Sequence, residues 1–191
     1  MQAAQRTGRG ADKRRRMLDA ARQVMLRDGL RGATMEAIAR QAGIAKPTLY
    51  AQFPNKDAVF VALLEWLLGD LMAAFAEGLA TQGSAAERIG AALSAQYLLL
   101  AQMLEGSPHA AELMSEHKRM GLTLADKDAE MMHSIEALLT AEGLVHPSPL
   151  ARVVVSAAYG IALKIRDETA MAEGIRLMCL RLIAPELDGT G

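Results

Sequence analysis

The chain has one cysteine, Cys179. No intrachain disulfide can brace the fold, and a reducing cytoplasm is the expected setting. Aromatics are almost as scarce, at 4% of 191 residues. Sheets draw on aromatic and β-branched residues, so this composition argues against strands and for helices built from Ala, Leu and Met. No phosphate-binding loop, GxSxG, HExxH or CxxC is present, so no enzyme and no cofactor is expected. Histidine is sparse too. His109 and Glu112 lie three apart, and His117 and His133 are the remaining candidates to join them. That set is too dispersed to favour a metal site, and a helical metal-binding protein stands only as a minor alternative. Long hydrophobic runs are also missing. The longest uncharged stretch, Ile89 to Leu104, has 16 residues, includes Ser94, Gln96, Tyr97 and Gln102, and falls short of a membrane span of about 20. The amino-terminal residues lack a secretory leader pattern, and no membrane partner is expected.

Charge is present but unevenly placed. The net charge is -1, yet residues 1–56 hold 12 Lys/Arg against 4 Asp/Glu, while residues 57–191 hold 9 against 18. A basic first third on an acidic remainder points to an anionic partner at one end. Residues 1–11 carry Arg6, Gly8, Arg9 and Gly10 without apolar periodicity and read as a flexible basic arm.

Helical punctuation is regular after that. Asp12 offers an N-cap, Met17, Ala21, Val24 and Met25 share a face, and Gly29 stops the segment. Thr34 caps a short second helix that Gly43 ends. A third begins near Ala45 to Pro47 and stops before Phe53. Asn55 caps a fourth helix, apolar on most sides (Val59, Phe60, Leu63, Leu64, Leu67, Leu71, Phe75), as expected of a buried one. Ser84 and Glu87 form a capping box for a fifth. Ser107-Pro108, Gly121, Ser148-Pro149 and Asp167 to Thr169 mark the starts of four more. The expectation is an all-α chain: an arm over residues 1–11, a three-helix DNA-binding domain over 12–56, and a six-helix regulatory and dimerisation domain over 57–191.

The second and third helices, joined at Gly43, form a helix-turn-helix, and the third is the candidate reader of the DNA major groove. Leu49 and Phe53 should pack inward, leaving Lys46, Thr48 and Gln52 exposed. Lys46 can reach guanine O6 or N7 and Gln52 can pair with adenine. Tyr50 can lay its ring along the sugar-phosphate backbone and donate its hydroxyl to a phosphate. Lys56, at the start of the fourth helix, would grip the same backbone.

The stretch "TMEAIARQAGIAKPTLYAQFPNKDAVF", residues 34–60, resembles the DNA-binding signature of the TetR family of bacterial transcriptional regulators. Thr, Ile-Ala, Ala-Gly, Thr-Leu-Tyr, Phe and Lys recur at that family's spacings, over roughly residues 12–60. The resemblance implies a three-helix DNA-binding domain and a helical regulatory domain that also dimerises. It implies phosphate contacts from Thr34, Tyr50 and Lys56, with Lys46, Pro47, Thr48 and Gln52 where the family reads bases or lines the groove. Two positions depart from the pattern. Ala45 replaces a capping Ser or Thr, a loss of ~1 kcal/mol, and Ala51 replaces a larger residue that would touch backbone. The arm and Arg14 to Arg16 are expected to compensate through the phosphate field.

The expected activity is ligand-responsive, sequence-specific DNA binding by a homodimer, most simply a repressor released from a palindromic duplex operator by a small apolar effector; a non-specific DNA-binding helical protein is the alternative. Effector contacts are expected from Gln96, Tyr97, Gln102, His117, His133 and Tyr159, among adaptable methionines. Small and apolar residues in the last two helices, Ala157, Gly160, Ile161, Ile175, Met178 and Leu182, suggest a four-helix dimer interface.

Overall fold

The structure is a computed structural model. It describes the backbone of residues 2–110, 112 and 124–188, and the side chains of 12–110, 112 and 128–187. Eight helices and no strand occur among the described residues: α1 Gln2–Gly32, α2 Met35–Gln41, α3 Lys46–Tyr50, α4 Lys56–Leu79, α5 Ala85–Leu104, α6 Leu124–Ala141, α7 Pro147–Lys164 and α8 Glu168–Asp188. The fold is all-α, as the composition requires. The segment predicted to start at Ser107-Pro108 lies largely outside the described residues, as does its predicted end at Gly121.

Two expectations at the amino terminus change. The helix runs from Gln2, so the backbone of residues 2–11 continues α1 where a flexible basic arm was expected, and Asp12 is interior rather than a cap. Ala3, Ala4, Gln5 and Arg6 are good helix formers, and no proline interrupts them; two glycines cost about 2 kcal/mol, which a continuing helix tolerates. The stop at Gly29 does occur. Gly29 takes φ 73 and breaks the helical geometry, although the last turn continues to Gly32.

Two compact units result. The first contains the chain through Leu67 together with the segment beginning at Gly106; the second contains Leu68–Glu105 and the chain from Thr123 onward. The core of the first gathers Met17, Ala21, Val24 and Met25 of α1, Ile38 of α2, Leu49 and Phe53, and Val59, Phe60 and Leu63 of α4. It therefore extends past residue 56, because α1 and the short α2 and α3 close their apolar faces against the first half of α4. Ser107 Oγ donates to Leu26 O at 2.7 Å within this unit. The second core joins Phe75, Ile89, Leu93, Met131, Ile135, Leu139, Val154, Met171, Ile175, Cys179 and Ile183.

α4 is long and apolar enough to cross a membrane by length and composition. Its Val59, Phe60 and Leu63 are buried in the first core and Phe75 in the second, and Leu71 is buried as well. In the second unit α4 meets α5 closely: a Cβ on Gly78 would lie 2.5 Å from Ala92 Cα. The capping box of α5 forms as expected, with Ser84 Oγ accepting from Glu87 N–H at 3.3 Å and Glu87 Oε2 accepting from Ser84 N–H at 2.8 Å.

Candidate nucleic-acid interface

The site begins with the turn between α2 and α3. Thr34 caps α2, its Oγ1 accepting from Ala37 N–H at 3.1 Å. As an acceptor there, the hydroxyl keeps its own proton for a phosphate oxygen. α2 ends in a Schellman arrangement, with Gly43 N–H donating to Arg40 O and Ile44 N–H to Ala39 O. Gly43 sits at φ 63, a left-handed conformation that glycine adopts without Cβ strain. The chain thus reverses in three residues and starts α3 at Lys46.

α3 has Pro47 in its first turn and no side-chain cap at Ala45, as anticipated. Leu49 is fully buried and Phe53 nearly so, while Lys46, Pro47, Tyr50 and Gln52 are exposed and Thr48 is half-buried. Tyr50 is 42% exposed, far more than a core aromatic. The sequence thus places an apolar edge inward and the polar side chains of Lys46, Tyr50 and Gln52 outward.

The two lysines are both engaged within the chain. Lys46 Nζ donates to Glu36 Oε1 and lies 5.7 Å from the Tyr50 ring centroid. That hydrogen bond first, and its charge as well, holds the Lys46 ammonium above the ordinary lysine value, and the Glu36 carboxyl lies below the ordinary carboxylate value for the same first reason. Lys56 Nζ donates to Leu30 O at 2.6 Å and Arg31 O at 3.4 Å. It satisfies carbonyls at the end of α1, where cations are favoured. Phosphate gripping was the only role expected of Lys56; the structure adds a structural one. Neither partner was visible in the sequence, since they lie 10 and 26 residues away.

Further basic groups are fixed on this unit. The Arg14 guanidinium stacks 4.8 Å from the Phe53 centroid and Arg15 5.7 Å from Trp66. Arg15 and Arg16 line a groove with Asp19, Gln23, Gln41 and Trp66. Gln41 Nε2 donates to Gln23 Oε1 there at 2.6 Å, tying α2 to α1.

Residues 17–63 match the family model described as bacterial regulatory proteins, tetR family. The match is confined to that segment, which holds the helix-turn-helix. Among relatives, the chain is 29% identical over 85 residues to the fatty acid metabolism regulator protein of Bacillus subtilis (strain 168), covering 44% of each. It is 32% identical over 84 residues to the HTH-type transcriptional activator FasR of Mycolicibacterium smegmatis, covering 44% of this chain and 38% of FasR. The chain spans about half the length, or less, of the curated relatives it matches. In fold it is similar to a TetR-like transcriptional regulator from Rhodococcus sp. RHA1, with a TM-score of 0.63 and 21% identity over 88% of this chain and 94% of that one. It is also similar to the transcriptional regulator FadR from Bacillus subtilis, solved in complex with stearoyl-CoA, with a TM-score of 0.61 and 18% identity over 88% and 97%.

Of the residues expected at an effector site, Tyr97 and Tyr159 lie near enough to interact electrostatically. Tyr97 is half-buried; desolvation first, then the charges of Asp128 and Tyr159, push its hydroxyl up to about 12. Gln96 Oε1 is buried without a hydrogen-bond partner among the described residues. Gln102, by contrast, is exposed and donates to Glu168 Oε2 at 3.1 Å. His133 faces solvent on α6, and Tyr159 is 47% exposed on α7. His117 lies outside the described residues. His109 Nδ1 pairs with Glu112 Oε2 at 3.2 Å in the first unit, and no group of three metal-ligating side chains occurs among the described residues.

The residues expected at a dimer face differ in exposure. Ile175 is fully buried in its own subunit's core, and Met178 packs against that core. Ile161 Cγ2 would meet a Cβ on Gly174 at 3.5 Å, so it serves the α7–α8 contact within the chain. Ala157 is half-buried, and a Cβ added to Gly160 would meet nothing within 4 Å. The exposed apolar side chains are instead Val153 and Leu163 on α7 and Leu177, Leu180 and Leu182 on α8. Of the six expected residues, Leu182 is the large apolar side chain that stays exposed.

Proposed function

We propose that this chain is a sequence-specific DNA-binding regulator of transcription that acts in the cytoplasm as a homodimer, a repressor released from a roughly palindromic operator when the second unit takes up a small apolar effector. The observation that carries this reading is the outward edge of α3 and the turn after it: Lys46, Tyr50 and Gln52 stand exposed and Thr48 half-buried over a buried Leu49 and Phe53. That is the arrangement a helix needs to enter a major groove while anchored from behind. Gln52 supplies base readout, and Thr34 and Tyr50 supply phosphate contacts that set the register. Lys46 reads guanine, and Lys56 divides its donors between α1 carbonyls and a phosphate.

The exposed leucines of α8 and the open face at Gly160 on α7 support pairing of these helices across a two-fold axis. Two recognition helices would then meet half-sites about 34–36 Å apart. Effector binding is supported by an acceptor, Gln96 Oε1, buried in a unit otherwise rich in Met and Leu. It suits an apolar molecule carrying one hydrogen-bond donor. The signal travels by population shift through α4, whose first half belongs to one unit and second half to the other.

Selection of bound duplexes from a random pool tests the reading. An inverted repeat, preferred over random DNA by ~10³ or more at physiological salt, is expected. A pool that stays random after selection would leave the non-specific alternative in its place.

A further inference from the structure

Glu36 stands out in the candidate interface. It is an exposed acid on a surface that otherwise needs positive charge, and it holds the one lysine on α3. Both side chains are about half exposed, at 51% for Lys46 and 55% for Glu36. Neither is needed for the core. An exposed ion pair adds little stability, so the pair calls for an explanation other than folding.

We propose that Glu36 is a specificity-determining positioning residue, which neutralises the field of Lys46 and directs its ammonium to base edges rather than to phosphates. This rests on the reading of α3 as the groove-reading helix. A phosphate attracts an ammonium mainly by net charge, and that attraction also draws on counterion release. A carboxylate at hydrogen-bond distance from the ammonium cancels most of it. Guanine O6 and N7 are neutral acceptors whose attraction is short-ranged and directional, so a neighbouring carboxylate cancels much less of that. The carboxylate also repels any phosphate that approaches Lys46 closely. The Tyr50 ring, 5.7 Å from Nζ, offers the ammonium a second fixed neighbour and narrows its rotamers. Non-specific complexes, which depend on phosphates, are therefore weakened more than the specific one.

The test uses full-length protein, the duplex selected from the random pool, and a random duplex of equal length, across a range of salt. Glu36→Gln removes the charge and keeps the shape. It is expected to tighten binding to random DNA by about eightfold at ~0.1 M salt, the value of one added phosphate contact, and to steepen the salt slope by about 0.9. Binding to the selected duplex should tighten by less than about threefold, so that the specificity ratio falls. In a Lys46→Gln background the same change should alter the ratio by less than about twofold, because Glu36 acts through Lys46. Trp66 fluorescence confirms that each variant folds, since this single tryptophan packs on the first unit's core. An unchanged ratio in Glu36→Gln would overturn the proposal. So would an effect of equal size in the Lys46→Gln background, which would reduce Glu36 to a general negative charge. If no duplex is selected at all, DNA reading fails and this proposal falls with it. If one is selected and the ratio does not move, only the role of Glu36 is lost.

Discussion

Replacing Lys56 with methionine separates its hydrogen bonds to α1 from the phosphate contact proposed for it. The side chain keeps most of its apolar stem and loses the ammonium that donates to Leu30 O at 2.6 Å and Arg31 O at 3.4 Å. A hydrogen bond from a charged donor contributes about 1.5–3 kcal/mol when well shielded. Lys56 is half-buried and only the shorter contact is strong, so a loss of about 1–2 kcal/mol is expected for the first unit. With a urea slope of ~1 kcal/mol/M for a unit of this size, the midpoint should fall by about 1–2 M. Trp66 fluorescence follows that unit alone, since the chain has no other tryptophan. On the selected duplex the same variant should also lose about 0.9 from its salt slope, the signature of one phosphate contact. Tyr50→Phe provides the contrast: it should weaken DNA binding and leave the urea midpoint in place, because the exposed hydroxyl supports no part of the core. A Lys56→Met protein as stable as the parent, with a flatter salt slope, would refute the structural role and make Lys56 a phosphate contact alone.

Three other outcomes follow from the geometry. Gly78→Ala should destabilise the second unit by ~1–3 kcal/mol, since the new Cβ would meet Ala92 backbone at 2.5 Å; Gly69→Ala, exposed on the same helix with nothing within 4 Å, should stabilise by ~0.5–1 kcal/mol, and thermal unfolding followed by circular dichroism distinguishes the two. Tyr97 has its folded pKa raised from 10.0 to about 12, so its contribution is whole below pH 10 and lost as pH climbs through 12; Tyr97→Phe should remove about 2 kcal/mol of that alkaline loss, leaving the part due to Cys179, whose thiol burial pushes up from 9.0 to about 12. Changing exposed Leu177 and Leu180 together to Glu should leave the chain folded and abolish the proposed dimer, so an unchanged sedimentation coefficient in the ultracentrifuge would count against the proposed α7–α8 interface.

The features legible in the sequence are those whose partners are near in the chain. Thr34 finds Ala37, Asn55 finds Ala58 and Ser84 finds Glu87, each within one helical turn, so residue type and spacing sufficed. Gly43 was legible for the same reason. The inward turn of Leu49 and Phe53 follows from one short helix with a single apolar edge. Other contacts depend on how helices cross. Glu36 reaches Lys46 only because the turn at Gly43 brings the start of α2 toward the start of α3, and Lys56 reaches Leu30 only across the whole first domain. α8 shows the limit of periodicity most clearly. It is apolar on several sides, so Ile175 and Leu177 are alike in the sequence, yet one is fully buried and the other 56% exposed. A pattern of apolar residues does not say which face meets its own subunit and which a partner. The histidines fared likewise: His133 is polar on a helix with apolar neighbours and simply turns to solvent.

The central claim is that α3 and the turn after it read base edges, with Gln52 among the readers. Repeating the duplex selection with Gln52→Ala tests it most directly, since Gln52 is exposed and its loss leaves the fold intact. The account predicts an inverted repeat with the same spacing, in which one position per half-site has lost its base preference, a change of about 1–3 kcal/mol in discrimination there. Base preferences identical to those of the parent protein at every position would contradict it.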